Sequence, residues 1–88
     1  MNATFRKSFT RDLKKVKDQA VRDGVRNAID NVEAAADLRA VNNLKKLSGT
    51  STYYRIRVAD YRIGVAIEGD TVEFVRCLPR RDLYRFFP

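Results

Sequence analysis

The sequence predicts a small α+β domain whose antiparallel sheet is packed on one face by two N-terminal helices and is followed by a short C-terminal helix. Apolar residues recur at helical spacing in the first half of the chain, whereas apolar and charged residues alternate in the second half. Short turn sequences separate the alternating runs. The 88 residues and the 44% hydrophobic content fit a modest core, so residues 1–88 are expected to form a single domain.

The first half is predicted to contain a short strand at residues 4–7 and then mostly helix. One apolar stripe covers residues 9–20 and a second runs from Gln19 to about Leu38, both at the spacing of an amphipathic helix. Asp18 marks the expected junction between the two stripes. They predict either two helices or one kinked helix, because the residues at the junction do not decide between the two.

The second half is predicted to contain three strands, at about residues 53–58, 61–67 and 72–78. Ala59-Asp60 and Gly69-Asp70 are the expected tips of the two hairpins that join them. Proline cannot donate a backbone hydrogen bond, so Pro79 should end the third strand. The residues that follow it, about 82–87, are predicted to form one or two helical turns.

The register of these hairpins brings arginines together on one face of the sheet. Arg57 lies directly opposite Arg62, Arg55 is on the same face, and Arg62 is expected to face Cys77. Like charges in opposite positions cost about 0.2–1 kcal/mol per pair, so this arrangement indicates an anionic ligand such as phosphate. The other face is apolar and should pack on the helices; it carries Tyr54, Ile56, Val58, Tyr61, Ile63, Val65, Ile67, Val72 and Phe74.

The net charge of +7 is concentrated in the strand half and at the C-terminus. Residues 18–37 contain five acidic and two basic residues, whereas residues 38–62 contain six basic residues and one acidic residue. A localised basic face is typical of proteins that bind nucleic acid or another polyanion. A basic face that serves solubility, or one that an acidic protein partner covers, is the alternative.

The composition excludes several classes of function. The chain has no histidine, which rules out Ser-His-Asp and Cys-His catalysis and removes the commonest metal ligand. Its single cysteine, Cys77, cannot form an internal disulfide and fits a reducing compartment. No apolar run approaches the roughly 20 residues of a membrane span, and the first residues lack a signal-peptide pattern. We expect a cytoplasmic protein without metal, cofactor or membrane partner.

Three segments of the chain resemble a known family. They are Leu47-Ser48-Gly49, residues 54–63 with the sequence YRIRVADYRI, and residues 74–88 with the sequence FVRCLPRRDLYRFFP. These segments resemble the RelE/ParE superfamily of type II toxins, and they look closest to its RelE branch. The resemblance covers nearly the whole chain, although the helical half matches the family in pattern rather than in motif.

The resemblance implies a RelE-like toxin domain that enters the ribosomal A site and cleaves mRNA. In the RelE branch, the 2′-hydroxyl of the RNA attacks the adjacent phosphate and leaves a 2′,3′-cyclic phosphate and a 5′-hydroxyl. The expected partners are mRNA, the 16S rRNA of the ribosome and a cognate RelB-like antitoxin that blocks the basic face or displaces the C-terminal helix.

The resemblance also assigns roles to individual residues. The family's basic strand residues, late arginine and C-terminal tyrosine match the predicted catalytic set, which is Arg55, Arg57, Arg62, Arg80 and Tyr84. The predicted RNA-binding set is Lys45, Lys46 and Arg81. Arg81 competes with Arg80 for the late arginine position, and the two lysines could equally form an exposed basic turn. Tyr84 is a candidate proton donor, proton acceptor or base-stacking group, or a packing residue of the last helix.

Two positions depart from the family pattern. Ala59 stands where glycine is usual in the turn, and Pro79 stands where many members have histidine. The second change removes an imidazole that could transfer protons near neutral pH. A homologue that binds its antitoxin without cleaving RNA therefore stays open as an alternative function. A ParE-like poison of DNA gyrase is the other alternative, because it shares the fold.

Overall fold

A computed structural model describes residues 1–88 and confirms the predicted α+β class. The chain forms three helices and five strands, with a 3-10 turn at Leu38–Ala40. In chain order these are β1 (Asn2–Phe5), α1 (Lys7–Lys14), α2 (Gln19–Ala34), β2 (Leu44–Lys46), β3 (Tyr53–Val58), β4 (Tyr61–Glu68), β5 (Thr71–Pro79) and α3 (Arg80–Phe86). None of the helices combines the length and the apolar character that crossing a bilayer requires.

The five strands form one mixed sheet in the order β1-β5-β4-β3-β2. Strands β3, β4 and β5 pair antiparallel, as predicted. Strand β2 also pairs antiparallel, with β3, whereas β1 runs parallel to β5. The parallel neighbour arises because the chain leaves β1 through the helices and crosses the sheet before it returns in β5. The sequence did not predict β2, because three residues that include Lys45 and Lys46 are too short for a visible alternation.

The first face of the sheet packs on α1 and α2, as predicted. The α1–α2 segment contributes Phe9, Val16, Val21, Val25 and Val32 to a core of 15 buried residues. The predicted apolar strand residues supply most of the remainder, with Tyr54 and Tyr61 half-buried at its margin. This packing fixes the sheet, and therefore the positions of the side chains that point the other way.

The helical half forms two separate helices that meet near Asp18. The Asp18 carboxylate accepts a hydrogen bond from the Ala20 backbone N–H at 2.9 Å and so caps α2. The predicted junction is therefore confirmed. Helix α2 ends at Ala34, four residues before the predicted end, and Asp37 caps the 3-10 turn that follows.

A β-bulge in β5 changes the predicted pairing beyond the second hairpin. Val65 pairs with Phe74 as predicted, but Gly64 pairs with Arg76, so Val75 has no partner on β4. The predicted pairing of Arg62 with Cys77 is therefore wrong: Arg62 faces Leu78. Cys77 is moved to the other face, where it lies in the core and is 2% exposed.

The second face of the sheet is not fully open, because α3 covers part of it. Leu83 is fully buried, and the ring of Phe87, just beyond α3, lies on Gly64 and meets the ring of Tyr53 edge-on at 5.4 Å. A Cβ atom at Gly64 would lie 2.8 Å from the Phe87 ring, so only glycine allows this contact. Helix α3 therefore leaves part of this face open, at the end that carries the β3–β4 turn.

Candidate nucleic-acid interface

An open concavity of about 660 Å³ lies where the β3–β4 turn meets the start of α3. Three of the predicted catalytic residues, Arg57, Arg62 and Arg80, line it together with Asn43, Ala59 and Asp60. We call these six residues the arginine basin. Because β3 and β4 pair in the predicted register, Arg57 lies directly opposite Arg62.

Arg62 is the most enclosed cation of the arginine basin, with 8% of the residue exposed. Its Nη1 donates hydrogen bonds to the carbonyl oxygens of Ala59 at 2.9 Å and Tyr61 at 2.8 Å. Burial lowers the pKa of Arg62 from its ordinary value, and the positive charges of Arg55 and Arg80 lower this pKa further. The Tyr84 side chain acts in the opposite direction and raises it. The fold therefore holds a cation where its charge is unfavourable.

Arg55 lies beside Arg62 on the same face, opposite Gly64. Its Nη1 donates to the Asn43 carbonyl oxygen at 2.8 Å. Its Nε is buried and has no hydrogen-bond acceptor in the fold. An unpaired buried donor on a charged group is costly, so the fold loses stability at this position.

No carboxylate neutralises these arginines. The fold has three ion pairs, and all of them lie outside the arginine basin: Arg6–Glu73, Arg39–Asp37 and Arg76–Asp12. Asp60 lines the basin but forms no ion pair with its arginines. The basin thus combines several guanidinium groups with free hydrogen-bonding capacity, which suits a phosphate ester.

The two positions that depart from the family pattern both lie at the arginine basin. Ala59 has a φ of 51°, in the left-handed region that glycine adopts without steric cost. Pro79 ends β5 and directly precedes α3, and the Arg80 N–H bonds to the Asp60 carbonyl at 2.8 Å. This bond ties the start of α3, and with it the Arg80 backbone, to the β3–β4 turn.

Tyr84 lies on the exposed side of α3, with 55% of the residue exposed, and interacts with Arg62 across the second sheet face. It also lines a second cavity of about 670 Å³, which we call the side pocket. The predicted RNA-binding residues Lys45 and Lys46 line this pocket with Tyr53 and Phe87. The fold thus places cations and aromatic rings next to the arginine basin, a combination that suits single-stranded nucleic acid.

Among the predicted site residues on α3, Arg81 is the one that the fold keeps apart. It is exposed on α3 and lines neither the arginine basin nor the side pocket. Arg80, one residue earlier, acts on Arg62 and lines the basin. The spacing to Tyr84 favoured Arg80 over Arg81 only moderately, and the geometry of the basin favours Arg80 as well.

Three residues that line the arginine basin were not predicted as site residues: Asn43, Ala59 and Asp60. Asn43 precedes a strand that was not predicted, so no pattern placed it near the arginines. Asp60 was visible as a turn residue, yet its carboxylate accepts no hydrogen bond within its turn. The sequence signal that could have placed Asp60 at the site was its position between two strands that carry arginines.

Two sequence comparisons find the same group of proteins. The family model described as ParE toxin of type II toxin-antitoxin system, parDE, matches residues 3–84. Toxin RelE3 of Methanocaldococcus jannaschii is 38% identical over 89 residues, which cover 100% of both chains.

Solved structures agree with this result. A chain of the RelB-RelE antitoxin-toxin complex from Methanococcus jannaschii matches with a TM-score of 0.80 and 38% identity, over 97% of this chain and 99% of that one. The isolated RelE toxin of E. coli has the same fold at only 14% identity, with a TM-score of 0.65 over 96% of this chain and 90% of that one.

The mixed sheet, its terminal helix and the uncovered arginines define a type II toxin. The chain belongs to the RelE/ParE superfamily of type II toxins. Its likeness to RelE toxins over the full length of both chains places it in the RelE branch.

Proposed function

We propose that this toxin is a ribosome-dependent endoribonuclease that cleaves mRNA in the ribosomal A site and so inhibits translation. Residues 1–88 would act as one RelE-like domain in the cytoplasm, where ribosomes are found. The observation that carries the proposal is the group of four arginines, Arg55, Arg57, Arg62 and Arg80, that no carboxylate neutralises. Such a group stabilises an anion and destabilises the protein without one.

The chemistry requires little beyond charge stabilisation and proton transfer. The RNA 2′-oxygen attacks the adjacent phosphorus, the bond from phosphorus to the 5′-oxygen breaks, and a 2′,3′-cyclic phosphate and a 5′-hydroxyl result. The attacking hydroxyl loses one proton and the leaving oxygen gains one. The arginines stabilise the additional negative charge of the pentacoordinate transition state, for which preorganised cations are effective. Arginine is too weak an acid to be a ready proton donor, so Tyr84 is the candidate for proton transfer.

We further propose that a cognate RelB-like antitoxin binds this chain and controls it. The related M. jannaschii chain was solved in a RelB-RelE antitoxin-toxin complex, and a RelE-RelB complex from Pyrococcus horikoshii contains a chain of the same fold, with a TM-score of 0.67. On the ribosome, Lys45 and Lys46 of the side pocket and the exposed Arg81 would contact RNA through phosphate groups.

The proposal is tested by primer extension on an mRNA that is translated in vitro, with and without the toxin. We expect discrete cuts within codons that require ribosomes and disappear when the antitoxin is added. The upstream fragments should end in a cyclic phosphate, so poly(A) polymerase should extend them only after the phosphate has been removed. Intact mRNA and normal translation would contradict the proposal.

Two other outcomes would replace it. Toxin-dependent DNA breaks by purified gyrase would indicate a ParE-like function. Antitoxin binding without RNA cleavage or gyrase poisoning would indicate a homologue that only binds, which the proline at position 79 makes a specific alternative.

The role of Tyr84 can be separated into its hydroxyl and its ring. Tyr84→Phe retains the ring and removes the proton donor, whereas Tyr84→Leu removes both. If Tyr84 transfers a proton, both variants should cleave at least about 100-fold more slowly in single-turnover reactions. If it stacks on a base, Tyr84→Phe should stay close to the unmodified toxin and only Tyr84→Leu should be slow.

A further inference from the structure

The turn before β2 holds a second residue in the left-handed region. Asn43 has a φ of 61° and lines the arginine basin. Its carbonyl oxygen accepts two hydrogen bonds, from the Arg55 Nη1 at 2.8 Å and from the Arg57 backbone N–H at 3.2 Å. One oxygen atom therefore contacts the side chain of one candidate catalytic residue and the backbone of another.

The same turn is fastened to α2 from the other side. The Asn31 side chain accepts a hydrogen bond from the Asn42 N–H at 2.8 Å and donates one to the Ala40 carbonyl at 3.2 Å. Asn31 is half-buried and does not line the basin. A continuous set of contacts thus runs from α2 through the turn to the guanidinium group of Arg55.

We propose that Asn43 is a positioning residue: its left-handed backbone conformation aims the carbonyl oxygen that holds the Arg55 guanidinium group beside the arginine basin. This inference rests on the proposed function for its consequence on cleavage, but not for its consequence on Arg55. Without this bond, Arg55 would be repelled by Arg62 and could rotate into solvent. An arginine that is already in place loses less conformational entropy when the phosphate arrives.

The residue type at position 43 follows from this conformation. Asparagine and glycine adopt the left-handed region readily, whereas a β-branched residue there is a steric outlier. Asn43→Gly should therefore keep the carbonyl in place while removing the side chain. Asn43→Val should turn the carbonyl away while the residue stays neutral and similar in size.

The position of Arg55 is measured first, by NMR of the ¹⁵N-labelled guanidinium groups, with Arg55→Ala identifying the signal. The unmodified toxin and Asn43→Gly should both give slowly rotating Arg55 Nη signals. Asn43→Val should give averaged signals. This measurement needs neither RNA nor activity, so it decides the positioning role even if the toxin does not cleave mRNA.

Cleavage is then measured on programmed ribosomes in single-turnover reactions well below the unfolding temperature. At saturating ribosomes, Asn43→Val should cleave at least about tenfold more slowly than Asn43→Gly, because both variants lack the asparagine side chain and only glycine keeps the carbonyl in place. In the Arg55→Ala background, Asn43→Val should have no further effect, because the residue acts through Arg55. An effect on folding alone would add to that of Arg55→Ala.

Three results would overturn the inference: equal losses in Asn43→Gly and Asn43→Val, an ordered Arg55 in Asn43→Val, or additive losses in the double variant. If Asn43→Val does not fold, Asn31→Ala replaces it, since it loosens the same turn from outside the basin. That variant should cleave about three- to tenfold more slowly with averaged Arg55 signals, and an unchanged Arg55 would again overturn the inference. Failure of the unmodified toxin to cleave would overturn only the proposed function.

Discussion

Two arginines on neighbouring strands of the sheet, Arg62 and Arg76, occupy opposite electrostatic environments. Arg76 donates to both carboxylate oxygens of Asp12, from Nε at 2.7 Å and from Nη2 at 3.2 Å, and this pairing raises its pKa. Arg62 is more deeply buried, has no carboxylate partner, and has a lowered pKa because of burial. One arginine is neutralised within the fold and the other is not.

The difference separates a structural arginine from one that is available to a ligand. Asp12 of α1 also accepts the Cys77 N–H at 3.0 Å, so the Arg76 pair fastens α1 to the β5 segment that follows the bulge. Arg62 donates only to two backbone carbonyls, which carry no net charge. A buried cation without a counter-ion is costly, so its presence indicates a site where the counter-ion arrives from outside.

The largest expected effect concerns Arg62 and cleavage. Arg62→Ala should lower the single-turnover cleavage rate by about 10²–10³-fold, because one preorganised group of an anion-stabilising site is lost. Its free energy of unfolding should change little, since the substitution also removes repulsion from Arg55 and Arg80. The matched control is Arg26→Ala, which removes an exposed arginine of α2 outside the candidate site and should stay within about twofold. Equal losses of cleavage rate in both variants would contradict the view that Arg62 is an arginine available to the ligand.

The next effect concerns Asp12 and stability. Asp12→Asn should lower the free energy of unfolding by about 2–3 kcal/mol, because it leaves Arg76 partly buried without its counter-ion. Urea denaturation measures this change. Asp37→Asn, which breaks the exposed pair with Arg39, should cost less than about 0.5 kcal/mol. If the rate constant for cleavage also fell in fully folded Asp12→Asn protein, the Arg76 region would have a role in the reaction as well as in stability.

A smaller effect on the Arg76 side depends on pH. Burial raises the pKa of the Cys77 thiol to about 12, and the Asp12 charge adds to this shift. In the unfolded chain the thiol ionises near pH 9, so above that pH the unfolded state binds fewer protons and folding is opposed. The free energy of unfolding should therefore fall by up to about 1.4 kcal/mol per pH unit between pH 9 and 12. Cys77→Ala should lack this part of the slope in urea titrations at pH 8 and pH 10.

The smallest effect concerns the turn beside Arg62. Ala59→Gly should raise the free energy of unfolding by about 0.5–1 kcal/mol, because the relief of the left-handed strain exceeds the added entropy of the unfolded chain. Ala66→Gly, at an ordinary strand position, is the control and should destabilise by about 1 kcal/mol. Equal destabilisation by both substitutions would show that Ala59 is not strained.

Much of the fold could be predicted because its signals are local. The alternation of residues 53–78 gave three strands and both hairpin turns, and with them the opposition of Arg57 and Arg62. The parallel pairing of β1 and the packing of α3 on Gly64 depend on contacts between distant parts of the chain. No periodicity reports such contacts, so the sequence could not reveal them.

The candidate site, like the fold, could be predicted only where its signals are local in the sequence. The strand arginines follow from register, and their proximity is present in the fold. Their supports, Asn31 and Asn43, act through backbone groups of a turn that no motif marks. The carboxylate of Asp12 reaches Arg76 across 64 residues of sequence, which no spacing rule anticipates.

The unpaired Val75 has a consequence for how this chain is compared with its relatives. It shifts the phase of the in–out alternation, so that Phe74 and Cys77 face the same side although three positions separate them. An alignment that matches hydrophobic patterns without a gap here would displace every later residue by one. One of the consecutive residues Arg80 and Arg81 would then be aligned with the position of the other, so the length of β5 must be counted before a functional arginine is transferred from one toxin to another.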